Sequence, residues 1–374
     1  MTSMQTRQTT ATLLAVLLGA AAAQAQTITL PNKESSVRFM VIGDTGRGDR
    51  GQDETAAMME KVHAKFPFTF VVMVGDNIYG ADTPGDYARK FEQPYKPLID
   101  QGIKFYAALG NHDNPNQRFY KQFNMNGERF YTFRGSAGGL SKLTEGGVRF
   151  FAIDSNYLDK SQLDWLSKEL AASGSDWKIA FFHHPLYSSG KTHGSALETR
   201  AVLEPLFVKD HVSVVFTGHD HFYERIKPQK GILHFVVGAG GSLRKGDIRQ
   251  TDMTDKGFDT DYSFLIAEID GDQMYYQAIS RTGATIDSGV FKRPDAGSGA
   301  AAAGKPAAEV PAAVASPSVE TVKELKADVA KEQKAEAAAV SPAPSPAAAP
   351  SPSPSPSASK SKPKARKKPP AKKP

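Results

Sequence analysis

Six apolar runs in this 374-residue chain stop at a turn that carries oxygen or nitrogen donors. They are "VRFMVIGD" at 37–44, "FTFVVMVGD" at 68–76, "IKFYAALGNHD" at 103–113, "VRFFAIDS" at 148–155, "WKIAFFHHP" at 177–185 and "VSVVFTGHDH" at 212–221. Near-continuous β-branched and aromatic runs of this length read as strands buried on both faces. Helix-like segments separate several of them, such as 53–65 and "SQLDWLSKELAAS", where Leu163, Leu166 and Leu170 fall on one helical face. Later runs at 232–238, 263–269 and 274–280 have no helical segment between them and read as antiparallel strands. The pattern predicts a layered α/β domain whose second half is richer in antiparallel pairing.

Five of the strand ends finish in residues able to bind metals: Asp44, Asp76 with Tyr79, Asn111 with His112, His183 with His184, and His219 with His221. Taken singly, an Asp after a strand caps a turn and a buried His is a hydrogen-bonded core residue. Five in one chain point to a site, because ligands of an open α/β sheet collect at the carboxyl ends of its strands. Gly43, Gly75, Gly110 and Gly218 precede four of the groups, and a residue without Cβ lets the next side chain be aimed closely into a site.

Composition narrows the rest. There is no cysteine, which excludes disulfides and thiolate metal ligands and leaves His, Asp, Glu, Asn and Tyr, the ligands of harder ions. Arg7, the run "ATLLAVLLGAAAA" and the A-x-A site Ala23-Gln24-Ala25 describe a secretory signal peptide at 1–25, too short an apolar run to serve as a membrane span. The chain is therefore expected to be exported, to a periplasm or out of the cell, with no transmembrane span after cleavage. Residues 26–292 hold the foldable domain, and 293–374 turn to Ala, Pro, Ser and Lys and read as a disordered tail. Within that tail 317–339 reads as a weak helix and 341–357 as an extended spacer. The eight basic residues from Lys360 onward exceed the net charge of +6, so the folded part is slightly acidic and no specific nucleic-acid partner is implied. The basic end is suited to anionic envelope polymers through salt-sensitive contacts.

The blocks "GDTG", "GDNIY", "GNHD", "HHP" and "GHDH", in this order from about Val37 to Gly240, resemble the five blocks of the purple acid phosphatases, tartrate-resistant acid phosphatase-like members of the calcineurin-like metallophosphoesterases. The resemblance implies two packed mixed β-sheets flanked by helices, an α/β/β/α arrangement. It implies one metal held by Asp44, Asp76, Tyr79 and His221, and a second held by Asp76, Asn111, His183 and His219, with Asp76 bridging. His112 would face the substrate, and Asp113 would orient its neighbours.

A departure from the wider superfamily is informative: Gly46 stands where most members carry a His, and Tyr79 follows the second Asp. A phenolate is a hard donor, so the resemblance implies Fe(III) with a divalent partner, Fe, Zn or Mn, and a coloured protein. The expected reaction is hydrolysis of a phosphate monoester by hydroxide held at the two metals, with an acid pH optimum. His112 is the first candidate to protonate the leaving group and His193, in "KTHGS", the second. His184 and Arg47 carry two readings each, support or packing for the first and phosphate contact or solvent for the second. His63, His211 and His234 lie outside the blocks and read as structural. Two alternatives stand beside the phosphatase: a phosphodiesterase using the same metals, its pocket shaped by residues 241–262, and a surface protein whose basic tail dominates its role.

Overall fold

The computed structural model describes residues 27–135, 147–249 and 251–294. The expected signal peptide at 1–25 and all but the first two residues of the expected tail at 293–374 lie outside the described residues. The chain begins one sheet with β1 (Val37–Ile42), β2 (Phe70–Met73) and β3 (Lys104–Ala107). It then builds a second sheet from β4 (Tyr131–Gly135), β5 (Val148–Ala152), β6 (Trp177–Phe181), β7 (Val214–Thr217), β8 (Tyr223–Gln229), β9 (Ile232–Val237) and β10 (Thr254–Phe258). Strands β11 (Ser263–Asp270), β12 (Gln273–Ser280) and β13 (Thr285–Lys292) return to the first sheet. The strand orders are β13-β12-β11-β1-β2-β3 and β10-β8-β9-β7-β6-β5-β4.

Both sheets are mixed. β1, β2 and β3 run parallel while β11 closes antiparallel on β1. β5, β6, β7 and β9 run parallel while β4 and β8 are antiparallel to their neighbours. The late runs therefore depart from expectation at β9, which pairs parallel with β7 on one side and antiparallel with β8 on the other. Strand β8 and the 197–209 helix, which the runs do not reveal, supply the crossovers that allow this.

Burial on both faces, expected from the runs, has a simple origin in the period of two. Along β1, Phe39 and Val41 enter the core between the sheets, with Phe150, Ile179, Phe216 and Phe235 opposite. Met40 and Ile42 point the other way, under Ala56, Met59 and Val62 of the helix Arg50–His63. That helix begins where the Asp49 side chain accepts from the Gln52 amide, and its last turn carries Lys61 and His63, which suit the negative end of the helix. On the far side, Leu166 and Leu170 of the helix Lys160–Ala171 and Leu203 and Phe207 of Leu197–Lys209 cover Phe151, Ala180 and Val215. The result is the expected α/β/β/α order, and the carboxyl ends of β1, β2, β3, β6 and β7 open on one edge of it. Among the described residues no helix is long and apolar enough to cross a membrane.

Candidate metal centre

Each strand stops short of its donor, and the intervening turn aims it. β2 ends at Met73, Gly75 adopts φ 96°, and Asp76 follows at φ 51°. Asp44 sits at φ 55° and His219 at φ 71°. Left-handed backbone at a non-glycine residue is uncommon, and three such residues at strand ends store strain that surrounding bonds must hold. Those bonds are present: Asp44 N donates to Gly75 O at 3.0 Å, and Gly218 N to His183 O at 3.0 Å. His219 N donates to Asp44 Oδ2 at 3.1 Å, tying the second sheet to the first.

The expected donors meet in two adjoining groups. In one, Tyr79 Oη lies 3.4 Å from Asp44 Oδ1 and 3.2 Å from His221 Nε2, and His221 Nε2 lies 3.3 Å from Asp44 Oδ1. Donor atoms of Asp44, Asp76 and His221 all fall within 4.8 Å of one another. In the other, His183 Nε2 lies 2.8 Å from Asn111 Oδ1 and 3.4 Å from Asp76 Oδ1, and His219 Nδ1 lies 3.1 Å from Asn111 Oδ1. Asp76 belongs to both.

The second group has the chemistry of a cation site. His183 Nδ1 stands 3.1 Å from the Val74 carbonyl, which can only accept, so the imidazole proton is on Nδ1. The lone pair on Nε2 then faces an amide oxygen and a carboxylate oxygen. Acceptors converging on acceptors repel unless a positive ion lies among them. Protonation states agree. Burial first, then the charge of Asp76, pushes the Asp44 carboxyl well above its ordinary value. Burial holds His219 and His221 well below theirs, helped by neighbouring imidazoles at His219 and by Arg244 and Arg47 at His221. Imidazoles kept neutral are available as ligands. Burial, Asp76 and Asp44 likewise raise the Tyr79 phenol, so a metal bound there must displace its proton.

Further contacts hold these groups in place. Asp113 accepts from the amides of Asn77, Ile78 and Gly110 at 2.8, 3.0 and 2.8 Å and from Asn77 Nδ2 at 2.9 Å, the orienting role expected of it. His112 lies at the centre's edge, its amide 3.0 Å from Asp76 Oδ1 and its ring 4.9 Å from that of Tyr79. His193 also arrives, its ring 4.2 Å from that of His219. His184 sits beside Ser155, 2.9 Å from Nδ1 to Oγ, and 4.6 Å from the His219 ring. Arg47 neither reaches plain solvent nor points away: its guanidinium lies 3.9 Å over the Tyr79 ring, with Nε 2.8 Å from Ser242 Oγ. His63 and His234 stand in the packing, as expected, while His211 is an exposed turn residue at φ 57°. Two residues lacked a sequence signal, Arg244 in an irregular glycine-rich loop and Asp220, hidden between two expected ligands.

The family model for "Calcineurin-like phosphoesterase" matches residues 37–223, half of the chain. The chain belongs to the calcineurin-like phosphoesterases. Among curated relatives of this phosphoesterase, purple acid phosphatase 7 of Arabidopsis thaliana is 28% identical over 240 residues, covering 56% of this chain and 71% of the plant protein. Tartrate-resistant acid phosphatase type 5 of Oryctolagus cuniculus is 25% identical over 246 residues, covering 56% and 74%. Two solved structures share the fold at 20% identity. GAP50, the anchor in the inner membrane complex of Plasmodium, has a TM-score of 0.62 over 70% of this chain and 90% of that one. A purple acid phosphatase from yellow lupin (Lupinus luteus) seeds has a TM-score of 0.56 over 71% and 55%. An anchor and an enzyme on one fold mean that the site, not the architecture, must carry any assignment of activity.

Proposed function

We propose that this phosphoesterase is a dimetal acid phosphatase acting on phosphate monoesters. The observation that carries the reading is the pair of adjoining donor groups sharing Asp76, at the mouth of five strand ends. Asp44, Asp76, Tyr79 and His221 would hold Fe(III), and Asp76, Asn111, His183 and His219 a divalent ion, Fe, Zn or Mn. When bound, the two ions supply positive charge to hold an anionic ester and to make water nucleophilic below neutral pH.

The chain's own residues do the remainder. Asp113 holds the Gly110 and Asn77 turns so that Asn111 and Asp76 keep their aim. His112, beside Asp76 and Tyr79, would hand a proton to the leaving oxygen, and His193, beside His219, is the second candidate. The Arg47 guanidinium over the Tyr79 ring favours the phenolate that a ferric ion needs. Residues 1–25 direct export, 26–292 form the catalytic unit, and the basic end of 293–374 approaches anionic envelope polymers.

The experiment is metal analysis and a visible spectrum of the purified protein, beside the Tyr79→Phe variant, with 4-nitrophenyl phosphate and bis(4-nitrophenyl) phosphate as substrates. Two metals per chain, a visible band absent from the variant and preference for the monoester support the reading. Two divalent ions, no band and preference for the bis-ester would replace it with the phosphodiesterase.

A further inference from the structure

The loop 241–249 brings a cation to the centre that the strand-end pattern does not account for. The Arg244 amide donates to His221 O at 3.0 Å, which ties its main chain to a donor of the first group. Its guanidinium Nη1 donates to His193 Nε2 at 2.6 Å, and the His193 ring lies against that of His219, a donor of the second group. Arg244 is therefore held beside both donor groups, by its main chain at His221 and through His193 at His219, on the side where the half-buried His193 and His219 lie.

The position is built rather than incidental. The loop bearing His193 and the loop bearing Arg244 are zipped together: Lys191 N donates to Asp247 O and Arg249 N to Ser189 O, both at 2.9 Å. Thr192 Oγ1 adds a bond of 2.7 Å to Asp247 Oδ1. Beneath them Asp220, fully buried, accepts from Ser188 Oγ and from Gly194 N at 3.2 Å. Because Asp220 lies between His219 and His221, the turn that aims the ligands also anchors the His193 loop. A guanidinium held this firmly loses little freedom when it meets an anion.

We infer that Arg244 determines specificity: its guanidinium takes the non-bridging oxygens of the phosphoryl group at the centre and favours the dianion of a monoester over the single charge of a diester. This rests on the phosphatase reading. The guanidinium fork matches two phosphoryl oxygens at once, and a diester replaces one of its anionic oxygens with an ester oxygen that draws a weaker bond. His193, the present partner of Nη1, keeps the fork turned towards the centre until the anion arrives.

The test compares the metal-loaded full chain with Arg244→Met and Arg244→Lys, after metal content per chain is shown to be unchanged in at least one variant. Calorimetry with inorganic phosphate and with dimethyl phosphate reads recognition without turnover. The expected result is a Kd for phosphate raised about 10- to 100-fold in the Met variant with a shift of at most about threefold for dimethyl phosphate. The Lys variant recovers part of the phosphate affinity as a point charge without the fork. Phosphate affinity within twofold of wild type, or equal losses for both anions, overturns the inference. Turnover is read separately: a wild type that hydrolyses neither nitrophenyl ester refutes the phosphatase reading, while the two anion affinities still decide Arg244.

Discussion

Replacing Gly110 with alanine sets a Cβ 2.1 Å from Asp76 Oδ1 and 2.3 Å from the Asp76 amide, where ordinary contact begins at 3.4 Å. The carboxylate must retreat by roughly 1.3 Å, and it cannot do so by side-chain rotation alone because the amide is blocked as well. Overpacking of this kind costs about 1–3 kcal/mol, and for a domain of this size each kcal/mol lowers Tm by about 2–4 °C. The larger effect falls on function, since Asp76 is shared by both donor groups and a displacement of about 1 Å costs on the order of 100-fold in rate. The assay is metal content after gel filtration together with kcat on 4-nitrophenyl phosphate. Gly85→Ala serves as the control, at an exposed position whose nearest neighbour is 3.7 Å away. A Gly110→Ala protein that retains two metals and at least a third of the wild-type rate would refute the claim that close approach sets the aim of Asp76.

Three further outcomes follow from the same contacts. Asp113→Ala strands four buried donors, and after the relief of a buried charge is deducted it should lower stability by about 3 kcal/mol, read as a reduced urea midpoint at constant m-value. His234 is buried with no hydrogen-bond partner at Nε2, its ring 5.0 Å from Tyr187 and near Glu204 and Arg200, and burial pushes its pKa down to about 3. The unfolded chain therefore takes up this proton near pH 6.5 while the native one refuses it, so stability falls as pH drops from about 6.5 towards 3; His234→Leu should shrink the loss between pH 7 and pH 4 by about 3 kcal/mol, and an unchanged pH profile would contradict the assignment. Deleting residues 341–374 should leave turnover unchanged and abolish salt-sensitive retention on an anionic polymer resin; altered turnover would contradict the separation of tail from catalytic unit.

Much of the architecture was legible because a strand covered on both faces must be largely apolar: β2 is wholly so, β1 and β6 are broken only by Arg38 and Lys178, and β7 only by its last residue, Thr217. The candidate donors were legible because each lies in the turn that follows a strand of the sheets. What escaped the sequence lacks that signature. The helix 197–209 is interrupted by Pro205 and has no clean apolar stripe, and β8 runs through polar residues such as Glu224 and Lys227. Parallel pairing of β9 with β7 is a property of the crossover, which no residue of β9 announces. Arg244 belongs to an irregular loop where an arginine is ordinarily a surface charge. The left-handed backbone of Asp44, Asp76 and His219 was also unreadable, since nothing in a Gly-Asp or Gly-His pair distinguishes a relaxed turn from a strained one.

The two donor groups draw on both sheets: Asp44, Asp76, Tyr79 and Asn111 follow strands of the first, and His183, His219 and His221 follow strands of the second. Ions seated there would fasten the halves of the sandwich across their seam, so their loss should loosen the docking of one sheet on the other before either sheet melts. The chain must also travel from Asp44 to His221 before the first group is complete, and β11, which seals β1, comes later still. Capture of metal is thus a late event in the life of each molecule, an inspection that only a chain with both sheets assembled can pass.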